Sequence, residues 1–193
     1  MVSYSSRNQS TDVYPIFSTP IWIIKGNLPN NIIEWVKEYK TNSPCQRRTN
    51  RGGYQSETKL GLDKMPIEYS NYLKDKLNFL PKFYFDNWWL NINYKGSYNE
   101  CHTHPESDLA VIWYLTDNHG LLKLLDPMLH TRSMLYNQLG EHVTKHINVK
   151  AGDMVVFPAD VQHSVEEHQL DTPRICISTN LKLQGDVNRL TYT

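Results

Sequence analysis

Residues 91–115 read NINYKGSYNECHTHPESDLAVIWYL, two strand-like runs on either side of a His-Thr-His step. On an extended backbone residues i and i+2 point to the same side, so His102 and His104 face one point. Downstream come Asp153-Met154-Val155-Val156-Phe157-Pro158, then His163, then Arg174 at the head of Arg174-Ile175-Cys176-Ile177-Ser178. That order is the pattern of a metal site followed by an anion clamp.

From Phe83 onward the hydrophobic period is close to two, and short β-like runs follow one another with turns between them. The pattern predicts strands at 86–95, 98–103, 109–116, 121–126, 144–149, 153–158, 163–166 and 174–182. Parallel strands would need long crossovers, which the spacings do not offer, so the strands are antiparallel. Eight of them predict a mainly β fold, a double-stranded β-helix or jelly roll with N-terminal flanking helices. One domain would then fill 1–193, with a helical flank over 1–82 and a jelly-roll core over 83–183. The longest connection, Met128 to His142, has little regular pattern.

Ahead of the β region, Val13 to Ile24 is apolar but interrupted by Pro15 and Pro20. Proline cannot donate to a ladder, which predicts an edge strand or two short strands. Asn30 is a candidate cap for a helix carrying Ile32, Ile33, Trp35, Val36 and Tyr39. Lys40 to Arg51 reads as polar loop and Gly52 to Ser56 as a turn. A second helix starts near Met65-Pro66, with Tyr69, Tyr72, Leu73, Leu77 and Leu80 as its apolar stripe.

Composition narrows the function classes. The chain has 193 residues, 39% hydrophobic, with Lys+Arg and Asp+Glu balanced at 20 each. No global field draws it to nucleic acid or an anionic membrane, and no apolar run reaches the ~18 residues of a membrane span. Arg47, Arg48 and Arg51 form one basic cluster, read as a solvated loop. Three widely spaced cysteines, Cys45, Cys101 and Cys176, argue for a reducing compartment. The N-terminal stretch lacks a secretory pattern, so the expected location is the cytoplasm of a bacterium or phage-infected host.

All eight histidines fall between His102 and His168. Neutral imidazole suits Fe, Zn, Cu, Ni or Mn, and His102, His104 and His163 would supply three ligands while leaving other positions open, as catalysis requires. His119, His130, His142, His146 and His168 lie near turns or in the long loop and are expected to be exposed. Arg174 shares a polar-leaning strand face with Cys176, Ser178 and Asn180. A guanidinium there needs an anion, either an internal carboxylate or a bound one.

The joint order of Trp88/Trp89-x-Asn, Gly96-x-x-Asn99-x-x-His102-x-His104-Pro105, Trp113-Tyr114-Leu115, Asp126-Pro127, Gly152-Asp153-x-x-x-Phe157-Pro158, His163 and Arg174-Ile175-x-Ile177-Ser178-x-Asn180 resembles the 2-oxoglutarate/Fe(II)-dependent oxygenases, in particular a bacterial and phage group. Phe17-x-Thr19-Pro20 and Gly52-Gly53-Tyr54-Gln55-Ser56 extend the resemblance over nearly the whole chain. It implies Fe(II) and 2-oxoglutarate as cofactors, with His102 and His163 as iron ligands. Arg174 would pair with the distal carboxylate of 2-oxoglutarate, assisted by Ser178 and Tyr114. The implied reaction is oxygenation, a hydroxylation of an unknown substrate with decarboxylation of 2-oxoglutarate to succinate.

This chain departs from the family at one ligand. The usual triad is two histidines and a carboxylate, and His104 stands where Asp or Glu is expected. His104 itself, Glu106 or Asp108 is then the third ligand, or the site works with fewer; the i, i+2 spacing favours His104. A three-histidine set also resembles cupin metal sites, so the alternative is a cupin-like metalloenzyme or a metal-binding jelly-roll module without 2-oxoglutarate turnover. The expected partner is a small-molecule or peptide substrate, with no nucleic acid and no membrane, and a homodimer stays open.

Overall fold

The computed structural model describes residues 2–6, 9–13, 18–128 and 143–185. The first two segments are strands β1 (Val2–Ser6) and β2 (Gln9–Val13), paired antiparallel with each other. There follow β3 (Trp22–Ile24), α1 (Ile32–Asn42), the short strands β4 (Asn50–Arg51), β5 (Tyr54–Gln55) and β6 (Lys59–Leu60), and α2 (Ile67–Lys76). The β region comprises β7 (Phe83–Asn93), β8 (Tyr98–His102), β9 (Leu109–Tyr114), β10 (Leu122–Leu125), β11 (Thr144–Ile147), β12 (Met154–Pro158), β13 (His163–Val165) and β14 (Arg174–Leu183).

These eight strands pair as a nest: β7 with β14, β8 with β13, β9 with β12 and β10 with β11, all antiparallel. A long hairpin rolled upon itself gives that order, which is the jelly roll expected from the strand count. Two sheets result. One runs β11-β10-β13-β8-β4 and the other β3-β12-β9-β14-β7-β5, with β6 also on β7. The Val13 to Ile24 run ends in β3, an edge strand as the prolines require, and Pro15 itself lies outside the described residues.

Alternation along β7 and β14 decides what each face carries. Trp88, Leu90, Ile92, Ile175 and Ile177 share one core cluster with Ile32 and Val36 of α1 and Tyr69 and Leu73 of α2. Both helices therefore cover the outer face of the larger sheet. The docking is largely aromatic: Trp88 meets Trp35 and Tyr39 at 5.9 and 5.1 Å between centroids, and Tyr72 stacks on Trp113 at 5.1 Å. The inner face packs against the second sheet through Ile112, Val155 and Phe157 with Leu122 and Leu124. Covered on both sides, β9 is buried throughout, as its unbroken Leu-Ala-Val-Ile-Trp-Tyr run requires.

Several local expectations are corrected. The residue before α1 is Asn31, not Asn30; it adopts φ 60° and makes no side-chain cap, while Asn30 offers its carbonyl to the Tyr69 hydroxyl at 3.0 Å. Helix α2 stops at Lys76, and Leu77 and Leu80 are buried in the turn beyond it. The stretch from Lys40 to Ser56 is not all loop and turn, since β4 pairs with β8 and β5 with β7. The long connection after Met128 falls outside the described residues from 129 to 142, and His130 and His142 with it.

Candidate metal centre and anion pocket

His102 ends β8 and His163 begins β13, and the two are direct partners across that ladder. Their rings lie 4.2 Å apart between centroids. His104 sits two residues past the end of β8, where its backbone N–H donates to Ala159 O at 2.9 Å, and its ring packs on Trp89 of the facing sheet at 5.5 Å. The three imidazoles converge, with one nitrogen from each inside 4.8 Å of the others. Glu106 and Asp108 are exposed and lie outside that group; Asp108 is occupied instead as the acceptor of Leu183 N–H at 2.8 Å.

The local hydrogen bonds determine which nitrogens face inward. His102 Nδ1 lies 2.7 Å from Glu100 O and His163 Nδ1 lies 2.9 Å from Val161 O. A carbonyl only accepts, so both rings carry their proton on Nδ1 and turn a lone pair at Nε2 toward the cluster. The Nε2 atoms of His104 and His163 are 3.3 Å apart. Two nitrogens bound to one ion at ~2.1 Å, at octahedral or tetrahedral angles, stand about 3.0–3.4 Å apart. Burial disfavours the charged imidazolium, with the neighbouring histidines adding to it, so His163 is pushed down to about 3 and His104 to about 4. Burial lowers His102 as well. Three neutral imidazoles converging on one point, two of them with the lone pair already turned inward, fit a divalent transition metal.

Arg174 lines the same cavity, of about 270 Å³, as the three histidines. It is 1% exposed, yet no carboxylate among the described residues pairs with it. Its Nε donates to Asn118 Oδ1 at 2.9 Å and its Nη1 to Asn93 Oδ1 at 2.8 Å. Those amides are anchored in turn, Asn118 by donating to Ile147 O and Asn93 by donating to Asn99 Oδ1. Nη2 has no partner. A guanidinium oriented by neutral acceptors, with one N–H edge left over, is a receptor for an anion, because burying it unpaired is costly.

Ser178 lies on the cavity wall two positions from Cys176 and accepts a hydrogen bond from Asn91 Nδ2 at 3.1 Å. Tyr114 is fully buried under Arg174, whose guanidinium carbon sits 5.2 Å from its ring centroid. Its hydroxyl has no partner, and burial raises its pKa. His119 and His146 are exposed as expected, but His168 is not. It is 2% exposed, with Nε2 bonded to Thr172 O at 2.6 Å and its backbone paired with Gly96 and Ser97.

Register adds Asn87 and Asn93, which the linear pattern did not single out. Cross-strand pairing sets Arg174 opposite Asn93, Cys176 opposite Asn91, Ser178 opposite Trp89 and Asn180 opposite Asn87. One wall is therefore a ladder of carboxamides, extended by Gln55 opposite Asn91. Asparagines alternating with apolar residues in Asn87-Trp88-Trp89-Leu90-Asn91-Ile92-Asn93 were the available signal. Arg48 of the basic cluster also lines the cavity, while Arg51 pairs with Glu100.

No curated protein sequence matches the chain. Among solved structures the fold is similar to HygX from Streptomyces hygroscopicus, solved with nickel and 2-oxoglutarate bound, at 12% identity over 86% of this chain and 84% of that one, TM-score 0.59. It is also similar to a Pseudomonas putida prolyl-4-hydroxylase, at 14% identity over 87% and 95% with TM-score 0.53. The carbocyclase SnoK from nogalamycin biosynthesis matches at 12% identity over 86% and 80%, TM-score 0.63. At such identities the likeness concerns the fold. A sequence family described as "Putative 2OG-Fe(II) oxygenase" matches residues 87–180. The segment that matches this family holds all three converging imidazoles and Arg174.

Proposed function

We propose that this protein, acting as one domain over 1–193, is a 2-oxoglutarate- and Fe(II)-dependent oxygenase that hydroxylates a small-molecule or peptide substrate. The observation that carries this reading is the buried Arg174 guanidinium, a residue lining the cavity of the imidazoles, which has neutral acceptors on two sides and, among the described residues, no carboxylate partner and no hydrogen-bond partner for its buried Nη2. His102, His104 and His163 are the residues that would hold the metal. Bound Fe(II) supplies the redox chemistry by which O₂ and 2-oxoglutarate oxidise a C–H bond, with release of succinate and CO₂.

The chain's own residues bind and orient. Arg174 takes the distal carboxylate of 2-oxoglutarate, with the Ser178 hydroxyl beside it and Tyr114 beneath the guanidinium. Phe157 and Val165 line the cavity with apolar surface, which limits water near the imidazoles. A cavity of about 270 Å³ is scaled to a small molecule or one extended side chain rather than a duplex.

A second reading is favoured by the ligand set itself. Three imidazoles without a carboxylate also suit a cupin-like metalloenzyme, or a metal-binding jelly-roll module without 2-oxoglutarate turnover. The test is succinate release from 2-oxoglutarate by protein loaded with Fe(II) in air. Uncoupled succinate production supports the oxygenase. Metal-loaded protein that neither binds 2-oxoglutarate nor releases succinate leaves the second reading.

A further inference from the structure

We propose that Asn180 governs whether His104 serves as a metal ligand, by the direction in which its carboxamide faces the ring. This rests on the three-imidazole reading above. His102 and His163 have backbone carbonyls at Nδ1, but among the described residues His104 has none; its Nδ1 meets the Asn180 Nδ2, at 3.5 Å.

The proton pattern drawn by these contacts is self-consistent. Asn180 Nδ2–H points at His104 Nδ1, which makes that nitrogen the acceptor. The proton of His104 then sits on Nε2, directed at His163 Nε2 3.3 Å away. His163 receives it because its own proton is on Nδ1, held by Val161 O. In this arrangement His104 has no lone pair to offer at Nε2. To ligate there it must move its proton to Nδ1, and a buried Nδ1–H needs an acceptor.

Asn180 holds that acceptor in reserve. Its Oδ1 is buried without a partner among the described residues, in a residue 5% exposed. A half-turn of the carboxamide exchanges Oδ1 for Nδ2 at the ring, giving the imidazole its acceptor and the oxygen its donor. Asn87 turns with it, since its Oδ1 now accepts from Asn180 Nδ2 at 3.0 Å and its own Nδ2 would donate instead. That turn gives up the Asn87 Nδ2 bond to Asp86 Oδ2 at 2.8 Å, and Asp86 keeps Lys182 at 3.6 Å. The turn therefore has a cost: the unpartnered position passes from Asn180 Oδ1 to its Nδ2, and the Asn87 oxygen comes to face Asp86, so metal binding at His104 must supply the difference. Asn180 is thus a positioning residue acting through His104.

The experiment uses the full chain with Zn(II) as a diamagnetic probe. Histidine tautomers are read by ¹⁵N NMR and metal affinity by competition titration. His104 is expected as the Nε2–H tautomer without metal and the Nδ1–H tautomer with Zn(II). Asn180→Leu should weaken Zn(II) about 10–100-fold, the usual scale for removing a ligand's orienting partner. Asn180→Asp, which can only accept when ionised, should bind Zn(II) at least as tightly as wild type and show Nδ1–H before metal is added. Wild-type affinity in Asn180→Leu, equal losses in both variants, or Nδ1–H in the metal-free wild type overturns the proposal. His104→Ala separates the two levels. If it leaves Zn(II) affinity unchanged, the three-imidazole reading fails; if it weakens Zn(II) and Asn180→Leu adds nothing in that background, Asn180 acts through His104.

Discussion

His102 and His163 are direct ladder partners across β8 and β13, so two of the three converging imidazoles are set by main-chain pairing rather than by loops. His104 lies past the strand end, held by its backbone bond to Ala159, by Ser107 N–H donating to its carbonyl, and by packing against Trp89. Replacing His102 or His163 by Ala should therefore abolish stoichiometric metal, and His104→Ala should weaken it. Glu106→Ala, at an exposed position outside the cluster, should leave metal content at the wild-type level. Metal analysis after dialysis checks the ranking, and loss of metal in Glu106→Ala with retention in His104→Ala would move the third ligand to a carboxylate.

Arg174→Ala should weaken 2-oxoglutarate binding by roughly 2–5 kcal/mol, the scale for truncating one member of a buried charged pair. Metal content should stay normal, since no imidazole hydrogen bonds to Arg174. Calorimetry of the metal-loaded variant measures this directly. Affinity equal to wild type would remove Arg174 from the cosubstrate site.

Trp88 joins the helical flank to the β core. It is fully buried, contacts Trp35 and Tyr39 of α1, and donates Nε1–H to Asp63 O at 2.8 Å. Trp88→Ala should cost about 3–5 kcal/mol of stability, as large-to-small aromatic truncations in cores do. Urea unfolding measures it, and a loss well under that range would mean the helices are not fastened to the sheet through this ring.

Much of this was legible in the chain because the β region alternates. Asn87, Asn91 and Asn93 against Trp88, Leu90 and Ile92 report a sheet with one polar and one apolar face, and all eight strands were placed within a few residues. His-Thr-His could be read because a two-residue spacing translates directly into direction. The short strands β4 to β6 could not, since two residues have no period, and their pairing is fixed by distant partners on β7 and β8. The asparagine ladder likewise exists only in register. His168 misled because a polar residue between turns is usually solvated, whereas here main-chain bonds to Gly96 and Ser97 pull it under the surface.

The histidine environment also sets a pH dependence. In the unfolded chain each imidazole takes a proton near 6.5, while in the fold burial holds His104 at about 4 and His163 at about 3. Below 6.5 the unfolded state thus binds more protons than the folded one, and stability falls as pH falls. The contribution is fully present above 6.5. Most of it is lost between 6.5 and about 4, as the His104 and His163 terms run together, and the rest as the pH approaches 3. Ordinary carboxylates act below this window, near 4 and under. Thermal unfolding of metal-free protein from pH 7.5 to 4.5 should show the midpoint dropping below 6.5, with a shallower slope in His163→Leu. A midpoint independent of pH across that range, or an unchanged slope in the variant, would mean that these imidazoles are hydrated well enough to protonate in the fold, and a metal would then have to compete with protons near neutrality.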